Sequence, residues 1–355
     1  MSADGVSARI ARGRAAFLWA CGLDVAVRKP GNVSTASPGH AMEAAQFLAS
    51  ARAAADPLFA RGRPVGERIE AAVVATRAAV GCNTNLGILL LCAPLAAALE
   101  HLPIDVRDDI PGKAPGLVSS DAAAGVSAAG NNGFAGCDPV SLRMAVRSVL
   151  AALDVDDARA AYRAIALANP GGLGRAESQD VSALPEVTLR AAMALAAERD
   201  SVARQYADGY AEIFDEGLAT LCATTGPLAA AVQTLFLGFL AGRPDSHIVR
   251  KLGLGVAQTV TAEAAEWHAR LQADPAAGET VAFAQWDEAL KRAGINPGTS
   301  ADLTVCTLFA AALIRPGAIG MASDQTWHGM CIHHIGIGLF PTSDTRITLP
   351  PRRAW

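Results

Sequence analysis

Long alanine-rich stretches between glycines and prolines are the feature that most constrains the fold of this 355-residue chain. Half of its residues are apolar (51%), but only 5% are aromatic. Alanine favours helices because it loses no side-chain entropy there and hides no polar group, whereas β-sandwiches and barrels need many branched and aromatic residues. The composition therefore predicts an all-α fold, in a chain long enough for one large domain or two ordinary ones.

Charge and cysteine usage narrow the classes of partner. A formal net charge of −4 argues against a general nucleic-acid binder, which needs a basic excess or patch. Seven cysteines are scattered without a CxxC spacing, which is typical of reduced thiols in a cytoplasm. The longest apolar runs, Leu86–Leu99 and Leu228–Leu240, are shorter than the roughly 18–20 residues that a membrane span requires. We expect a cytoplasmic protein that binds neither nucleic acid nor membrane.

Helical periodicity extends along most of the chain up to residue 315, including one long helix from Glu186 to about Ile213 and another over 245–273. Residues 103–137 are rich in glycine, alanine and serine, and residues 316–355 in glycine, proline and histidine. Residues 103–137 have too few large hydrophobic residues for burial to offset the entropy cost of ordering them. We expect a single multi-helix globular domain over 1–315, with a flexible insertion at 103–137 and an irregular C-terminal extension.

Two polar clusters interrupt the alanine-rich background in the N-terminal part. Residues 28–34 read RKPGNVS, and two cations beside a rigid Pro-Gly turn offer charge and backbone N–H groups to a phosphate. Residues 81–87 read GCNTNLG and lead into the most apolar predicted helix, whose N-terminus suits an anion or a ribose. The alternatives are a solvated loop for the first cluster and plain helix capping by Asn and Thr for the second.

A third cluster lies on the predicted long helix, where Glu198-Arg199-Asp200 and Arg204-Gln205-Tyr206 fall within two turns. This density of charged and polar groups suits triphosphate and metal binding. Ordinary surface pairs, such as Asp200 with Arg204 at i,i+4 spacing, are the alternative.

A fourth cluster, NPGTSAD at 296–302, opens an apolar helix. We expect Thr299 or Ser300 to cap that helix and Asp302 to favour its dipole. An Asp302 that faces inward would instead hold Mg²⁺ or act as a base. Residues 245–251, DSHIVRK, form a fifth and weaker basic cluster.

Several segments, in their order along the chain, resemble the archaeal-like branch of the triphosphoribosyl-dephospho-coenzyme A synthase family. They are KPGNVS at 29–34, FLASA at 47–51, NTNLGILLL at 83–91, LANPGGLG at 167–174, PEVTL at 185–189, AAERDSVARQYA at 196–207 and NPGTSADL at 296–303. The resemblance covers about residues 10–315 without the insertion. It implies an all-α enzyme that releases adenine from ATP and transfers the triphosphoribosyl group to a hydroxyl of dephospho-coenzyme A.

The resemblance also implies roles for the polar clusters, since a triphosphate requires cations and a glycosidic bond requires nearby carboxyl groups. We expect phosphate contacts from Lys29, Arg199 and Arg204, and ribose or phosphate contacts from Asn83, Thr84 and Asn85. Further ATP- or substrate-binding candidates are Asn32, Ser34, Gln205 and Thr299. The catalytic candidates are Asp200, Asp302 and Glu198. The candidates for Mg²⁺ are Asp200, Asp302 and Glu43. Glu43 is included because SPGHAME at 37–43 has alanine where the family has the aspartate of a His-Asp element, and His40 and Glu43 could replace that element.

The partners expected are ATP, a small alcohol acceptor and, in a homodimer, a second copy of the chain. Two alternatives stay open for the function. One is ribosyl transfer in the biosynthesis of a methanopterin-type one-carbon cofactor, and the other is a non-catalytic nucleotide-binding or scaffold protein.

Overall fold

The computed structural model describes residues 3–102, 136–172, 174, 178–224 and 227–315. The expected C-terminal extension and all but the last two residues of the expected insertion lie outside this part of the chain. The described residues form 14 α-helices, and their only β pairing is two isolated bridges, so the all-α prediction is confirmed. The helices are α1 (Ala3–Ala26), α2 (Ala44–Leu58), α3 (Val65–Val80), α4 (Leu86–Ala98), α5 (Pro139–Ala152), α6 (Val155–Ala168), α7 (Leu189–Ala196), α8 (Ser201–Asp208), α9 (Leu218–Ala223), α10 (Leu228–Gly242), α11 (Ser246–Leu252), α12 (Leu254–Ala273), α13 (Val281–Arg292) and α14 (Gly298–Ile314).

Two helices, α4 and α14, form the centre of the fold. Nearly every residue of each is buried, as expected of helices that are apolar on all sides. They pack against each other, with α1, α5, α8 and α10 around them. Because both central helices begin inside the molecule, their N-terminal N–H groups need polar partners or a ligand there.

A proline inside α4 explains two buried tyrosines. Pro94 has no N–H group to donate to the carbonyl of Leu90, one turn earlier. The hydroxyl of Tyr206 donates to that carbonyl at 2.6 Å, and the hydroxyl of Tyr210 donates to the Leu91 carbonyl at 2.7 Å. Both tyrosine side chains are fully buried. These bonds join α8 and the turn after it to the central helix.

The predicted long helix from Glu186 to Ile213 is wrong. The structure has α7, then α8 from Ser201, and then a π-helix over Glu212–Gly217. Asp200 begins α8 as its N-cap, where its carboxylate accepts from the N–H groups of Val202 and Ala203. The helix ends at Gly209, whose φ of 72° is left-handed. A strong N-cap and a glycine stop therefore override the helical periodicity.

The predicted helix over 245–273 is also interrupted. Gly253, with a φ of 89°, separates the short α11 from α12. The short α11 contacts both α12 and α14. In the described residues, no helix combines the length and hydropathy needed to cross a bilayer.

Candidate functional site

A cavity of about 670 Å³ lies where the buried N-terminal ends of α4 and α14 meet. Its wall is completed by α1, the loop that follows α1, the ends of α3 and α6, and helices α7, α8 and α11. Its volume falls within the roughly 300–1,000 Å³ that is usual for small-molecule sites. The cavity therefore has room for a nucleotide-sized ligand at two helix N-termini.

The α4 end of the cavity carries three polar side chains, Asn83, Thr84 and Asn85. Asn83 accepts the N–H of Leu86 through its Oδ1 at 3.1 Å, and Thr84 donates to the Ser50 hydroxyl at 2.6 Å. Asn85 occupies the N-cap position, but its side chain does not cap the helix, and its buried Nδ2 has no hydrogen-bond partner in the described part of the chain. This donor is therefore available to a polar group that enters the cavity.

At the α14 end, the cap comes from another segment. Thr299 and Ser300 were predicted to cap α14, but neither does, and Pro297 stands at the N-cap position. Asp245 caps the helix instead: its Oδ2 accepts the Ser300 N–H at 2.7 Å, while its Oδ1 accepts the N–H groups of His247 and Ile248. One buried carboxylate thus fixes the starts of both α11 and α14.

Two carboxyl groups, Asp302 and Asp24, face the cavity between these helix ends. Asp302 lies against Gly87, where a Cβ atom would be 2.0 Å from its Oδ2, so only glycine leaves room for the carboxylate. Burial and then the nearby charges of Asp24 and Asp245 raise the pKa of Asp302 well above its usual range. Asp302 makes no hydrogen bond to another described residue. Its environment therefore favours either the neutral form or a bound cation.

The third side of the cavity is basic. His247, Arg250 and Lys251 of α11 line it together with Arg199. Arg250 forms an ion pair with Asp200 at 2.6 Å. Burial, and next the charges of Lys251 and Arg250, lower the pKa of His247 to about 4. Cations on α11 and carboxyl groups on α1 and α14 thus occupy different walls of one cavity.

The rest of the wall is apolar and comes mainly from α6, α7 and α8. It includes Ile165, Leu189, Met193, Leu195 and Val202. Tyr162 also lies here, and its hydroxyl donates to the carbonyl of Gln179 at 2.6 Å. This apolar side suits a base or an alkyl chain and keeps water from the polar side.

The structure brings eight of the residues selected from the sequence into this cavity and leaves six outside. Those in its wall are Asn32, Asn83, Thr84, Asn85, Arg199, Asp200, Thr299 and Asp302. Those that do not line it are Lys29, Ser34, Glu43, Glu198, Arg204 and Gln205. Glu43 and Glu198 are exposed, and Ser34 is buried.

Lys29 was expected at a phosphate but lies in the core. Its side chain has no exposed surface, and its Nζ is 3.0 Å from the carboxylate of Asp24. The neighbouring Gly31, with a φ of 80°, donates its N–H to the buried Asp287 at 2.9 Å. Most of the RKPGNVS loop is therefore fixed against α13, and Asn32 is the member of 28–34 that reaches the cavity.

The interpretation of Asp200 and Arg204 as an i,i+4 pair is wrong. Asp200 is the N-cap of α8 and pairs with Arg250, whereas Arg204 pairs with Glu212 at 3.4 Å. Gln205 is fully buried and donates to Glu212 at 2.9 Å. Arg204 and Gln205 therefore hold the start of the π-helix against α8.

Sequence reasoning did not assign roles to several residues of the cavity, among them Asp24, Arg77, His247, Arg250 and Asn296. The DSHIVRK segment was noted only as a weak basic cluster. Two residues that commonly cap helices, Asp245 and Ser246, precede the cations, and they indicate that the cations lie on a short helix with a fixed start. No sequence pattern marks Asp24 as a site residue, because it lies within an apolar helix. Its role becomes recognisable only when the structure places it beside Asp302.

The chain is similar to a known protein family and to a solved structure. The family model for ATP:dephospho-CoA triphosphoribosyl transferases matches residues 10–320. The fold is similar to the crystal structure of a proposed triphosphoribosyl-dephospho-CoA synthase from Archaeoglobus fulgidus, with 25% identity and a TM-score of 0.53 over 76% of this chain and 99% of that chain. No match to a curated protein is found. Since the family model spans most of its length, the chain belongs to the family of ATP:dephospho-CoA triphosphoribosyl transferases.

Proposed function

We propose that the cavity between α4 and α14 is where this transferase binds ATP and dephospho-CoA and exchanges one glycosidic bond for another. The C1′–N9 bond of ATP breaks, adenine leaves, and the ribose C1′ forms a bond to the acceptor hydroxyl. The observation that carries the proposal is the meeting of two buried helix N-termini, a basic wall and two carboxyl groups in one cavity. A triphosphate next to a glycosidic bond needs all of these groups.

The triphosphate lies at the basic wall and the α4 end of the cavity. Arg250 and Lys251 supply positive charge from α11, and Arg199 does so from the loop before α8. The unpaired Nδ2 of Asn85 and the first N–H groups of α4 donate to phosphate or ribose oxygens. Asn83 and Thr84 fix this loop through their own hydrogen bonds.

We propose a Mg²⁺ site on the basis of the carboxylate oxygens in the cavity wall. The described residues contain no group of three or more His, Cys, Asp or Glu side chains that converge on one point. Protein-bound Mg²⁺ is, however, usually held by one or two carboxylates together with waters and substrate phosphates. Asp302, which has no hydrogen-bond partner among the described residues, fits such an ion, and Asp24 beside it, although paired with Lys29, adds negative charge.

Asp200 and Glu43 fit the ion less well. Both oxygens of Asp200 already have partners, in the cap of α8 and in the pair with Arg250. Glu43 is exposed and outside the cavity. When bound, Mg²⁺ would neutralise part of the triphosphate charge and favour the ionised form of Asp302.

The residues around the ribose perform two further tasks. Cleavage of an N-glycosidic bond passes through a state with positive charge on the ribose, which the carboxylates of Asp302 and Asp24 stabilise. The apolar wall of α6 and α7 packs against the adenine and the acceptor arm and keeps water from C1′, so that transfer prevails over hydrolysis.

The family match favours dephospho-CoA over a methanopterin-type precursor as the acceptor, and an enzyme over a non-catalytic scaffold. We retain the cytoplasm as the location, because ATP is the substrate and the scattered cysteines have the pattern of reduced thiols. The homodimer stays a prediction, to be checked by light scattering of the purified protein.

Product analysis tests the proposal. Purified protein with ATP, Mg²⁺ and dephospho-CoA should release adenine and form, in equal amount, dephospho-CoA that carries a triphosphoribosyl group, as measured by liquid chromatography and mass spectrometry. Asp302→Asn should lower kcat at least 100-fold, because it removes a charge at the reacting centre. Glu198→Gln is the matched control, since Glu198 is exposed and outside the cavity, and it should keep full activity.

Absence of adenine release would refute the proposed reaction, and so would formation of ADP in place of adenine. If Asp302→Asn retained full activity while the wild type formed the product, the reaction would take place at another site.

A further inference from the structure

We propose that His247 is the base that takes the proton from the acceptor hydroxyl as its oxygen attacks C1′ of the ribose. This inference rests on the proposed function of the cavity and adds a catalytic residue to it. It starts from a polar atom: Nε2 of His247 is buried, lies on a residue of the cavity wall and has no hydrogen-bond partner among the described residues. Buried polar atoms are nearly always paired, so this nitrogen indicates a partner that arrives with the substrate.

The position of His247 places it between the phosphate-binding and carboxylate walls. Arg250 and Lys251 follow it by three and four residues on α11, so the three side chains share one face of that helix. On its other side, the ring of His247 packs on Gly298 of α14, where a Cβ atom would be 3.0 Å from its Nδ1. Asp302 is four residues after Gly298 and lies on the same face of α14.

This position is where the ribose belongs. In ATP the ribose joins the triphosphate to the adenine, so a triphosphate at Arg250 and Lys251 places the ribose in the neighbouring part of the cavity, which His247 lines. An acceptor oxygen that attacks C1′ then lies near the unpaired Nε2.

Burial and the surrounding charges keep the imidazole neutral before the substrates bind. Burial lowers the pKa of His247 to about 4, and the charges of Lys251 and Arg250 on its own helix lower it in the same direction, as does the neighbouring His40 of the loop after α1. The ring is therefore neutral at pH 7. A bound triphosphate would offset the charges of Arg250 and Lys251, so the imidazole becomes a stronger base once ATP is in place.

The atoms balance without a further reagent. The hydroxyl oxygen forms the bond to C1′ and loses its proton to Nε2 of His247. The C1′–N9 bond breaks, its electron pair stays on adenine, and adenine takes up one proton from solvent. His247 then returns its proton to solvent, so no net proton is gained or lost by the enzyme.

Steady-state kinetics of His247→Gln test the proposal. Glutamine keeps a polar side chain of similar size but accepts no proton at neutral pH, so we expect kcat to fall at least 100-fold while the Kd for ATP changes less than threefold. His268→Gln is the matched control. His268 also has a buried Nε2 for which the described residues provide no partner, and burial lowers its pKa, but it lies on α12 outside the cavity, so its variant should keep full kcat.

A second variant separates proton transfer from a structural role. In His247→Ala, added imidazole should raise kcat at least tenfold, because the free ring supplies the missing base. The inference is overturned if His247→Gln keeps more than a third of the wild-type kcat, if its loss appears as weaker ATP binding, or if imidazole leaves His247→Ala unchanged. Failure of the wild type to form product would instead refute the proposed function, before any variant is compared.

Discussion

His247 links the stability of the protein to pH in a way that the His247→Gln variant should expose. In the folded protein its pKa is lowered to about 4 by burial and by Lys251 and Arg250, whereas an exposed histidine in the unfolded chain titrates near 6.5. Between these values the unfolded chain binds a proton that the folded protein does not bind. The stability contributed by the neutral ring is therefore fully present above about pH 6.5 and is lost as the pH falls toward 4.

The size of the effect follows from the two pKa values. Acidification from pH 7 to pH 5 should remove about 2 kcal/mol of unfolding free energy through this one group, and acidification to pH 4 about 3 kcal/mol. The carboxyl groups of Asp208, Asp245 and Asp302 have raised pKa values and act in the opposite direction. They are present in wild type and variant alike, so their contribution cancels when the two proteins are compared.

Urea denaturation without ligand at pH 7 and pH 5 measures the effect. The loss of unfolding free energy between these pH values should be about 2 kcal/mol smaller in His247→Gln than in the wild type. In His268→Gln the change should have the same sign and be smaller, because His268 is only half-buried. Equal losses in wild type and His247→Gln would show that the ring is not held neutral in the folded protein, which would refute the reasoning.

Three further substitutions test other parts of the structure. Tyr206→Phe should lower the unfolding free energy in urea denaturation by about 1–3 kcal/mol, and by more than Tyr210→Phe, because Pro94 cannot supply the helical N–H donor to the Leu90 carbonyl. Equal costs for the two variants would contradict this. Gly87→Ala should displace the Asp302 carboxylate and remove most transferase activity, whereas Gly255→Ala, where a Cβ atom meets open space, should keep it; an active Gly87→Ala would refute the close approach. Asp245→Asn should lower the unfolding free energy by about 2–4 kcal/mol, since the amide cannot accept at both helix starts; a cost under about 1 kcal/mol would argue against the double cap.

Composition and local patterns were sufficient to predict the fold class and the central helices. Alanine-rich periodicity predicts helices without tertiary information, and the apolar segments that became α4 and α14 are buried as expected. The helix breaks at Asp200 and Gly253 were missed. Each depends on one residue whose capping or left-handed conformation competes with the periodicity around it.

The sequence predicted only part of the candidate site, again because single residues outside the local pattern decide which side chains reach it. Polar loops at the starts of buried helices must face inward, so Asn83, Asn85 and Asp302 were recognisable from their positions before apolar segments. Lys29 was placed wrongly because its partner, Asp24, lies inside an apolar helix and gives no signal of its own. Which member of a charged cluster faces the ligand depends on such pairings, and these are visible only in three dimensions.

Protection of Cys82 tests most directly whether the cavity holds the nucleotide. The Cys82 thiol lies in the cavity wall beside Asn83 and is partly exposed, whereas Cys222 is exposed outside the cavity. Alkylation with a thiol reagent, followed peptide by peptide by mass spectrometry, should slow at least tenfold at Cys82 when Mg²⁺ and ATP are added and stay unchanged at Cys222. If ATP binds, as measured by calorimetry, and Cys82 reacts at the same rate with and without it, the nucleotide lies elsewhere and the account is contradicted.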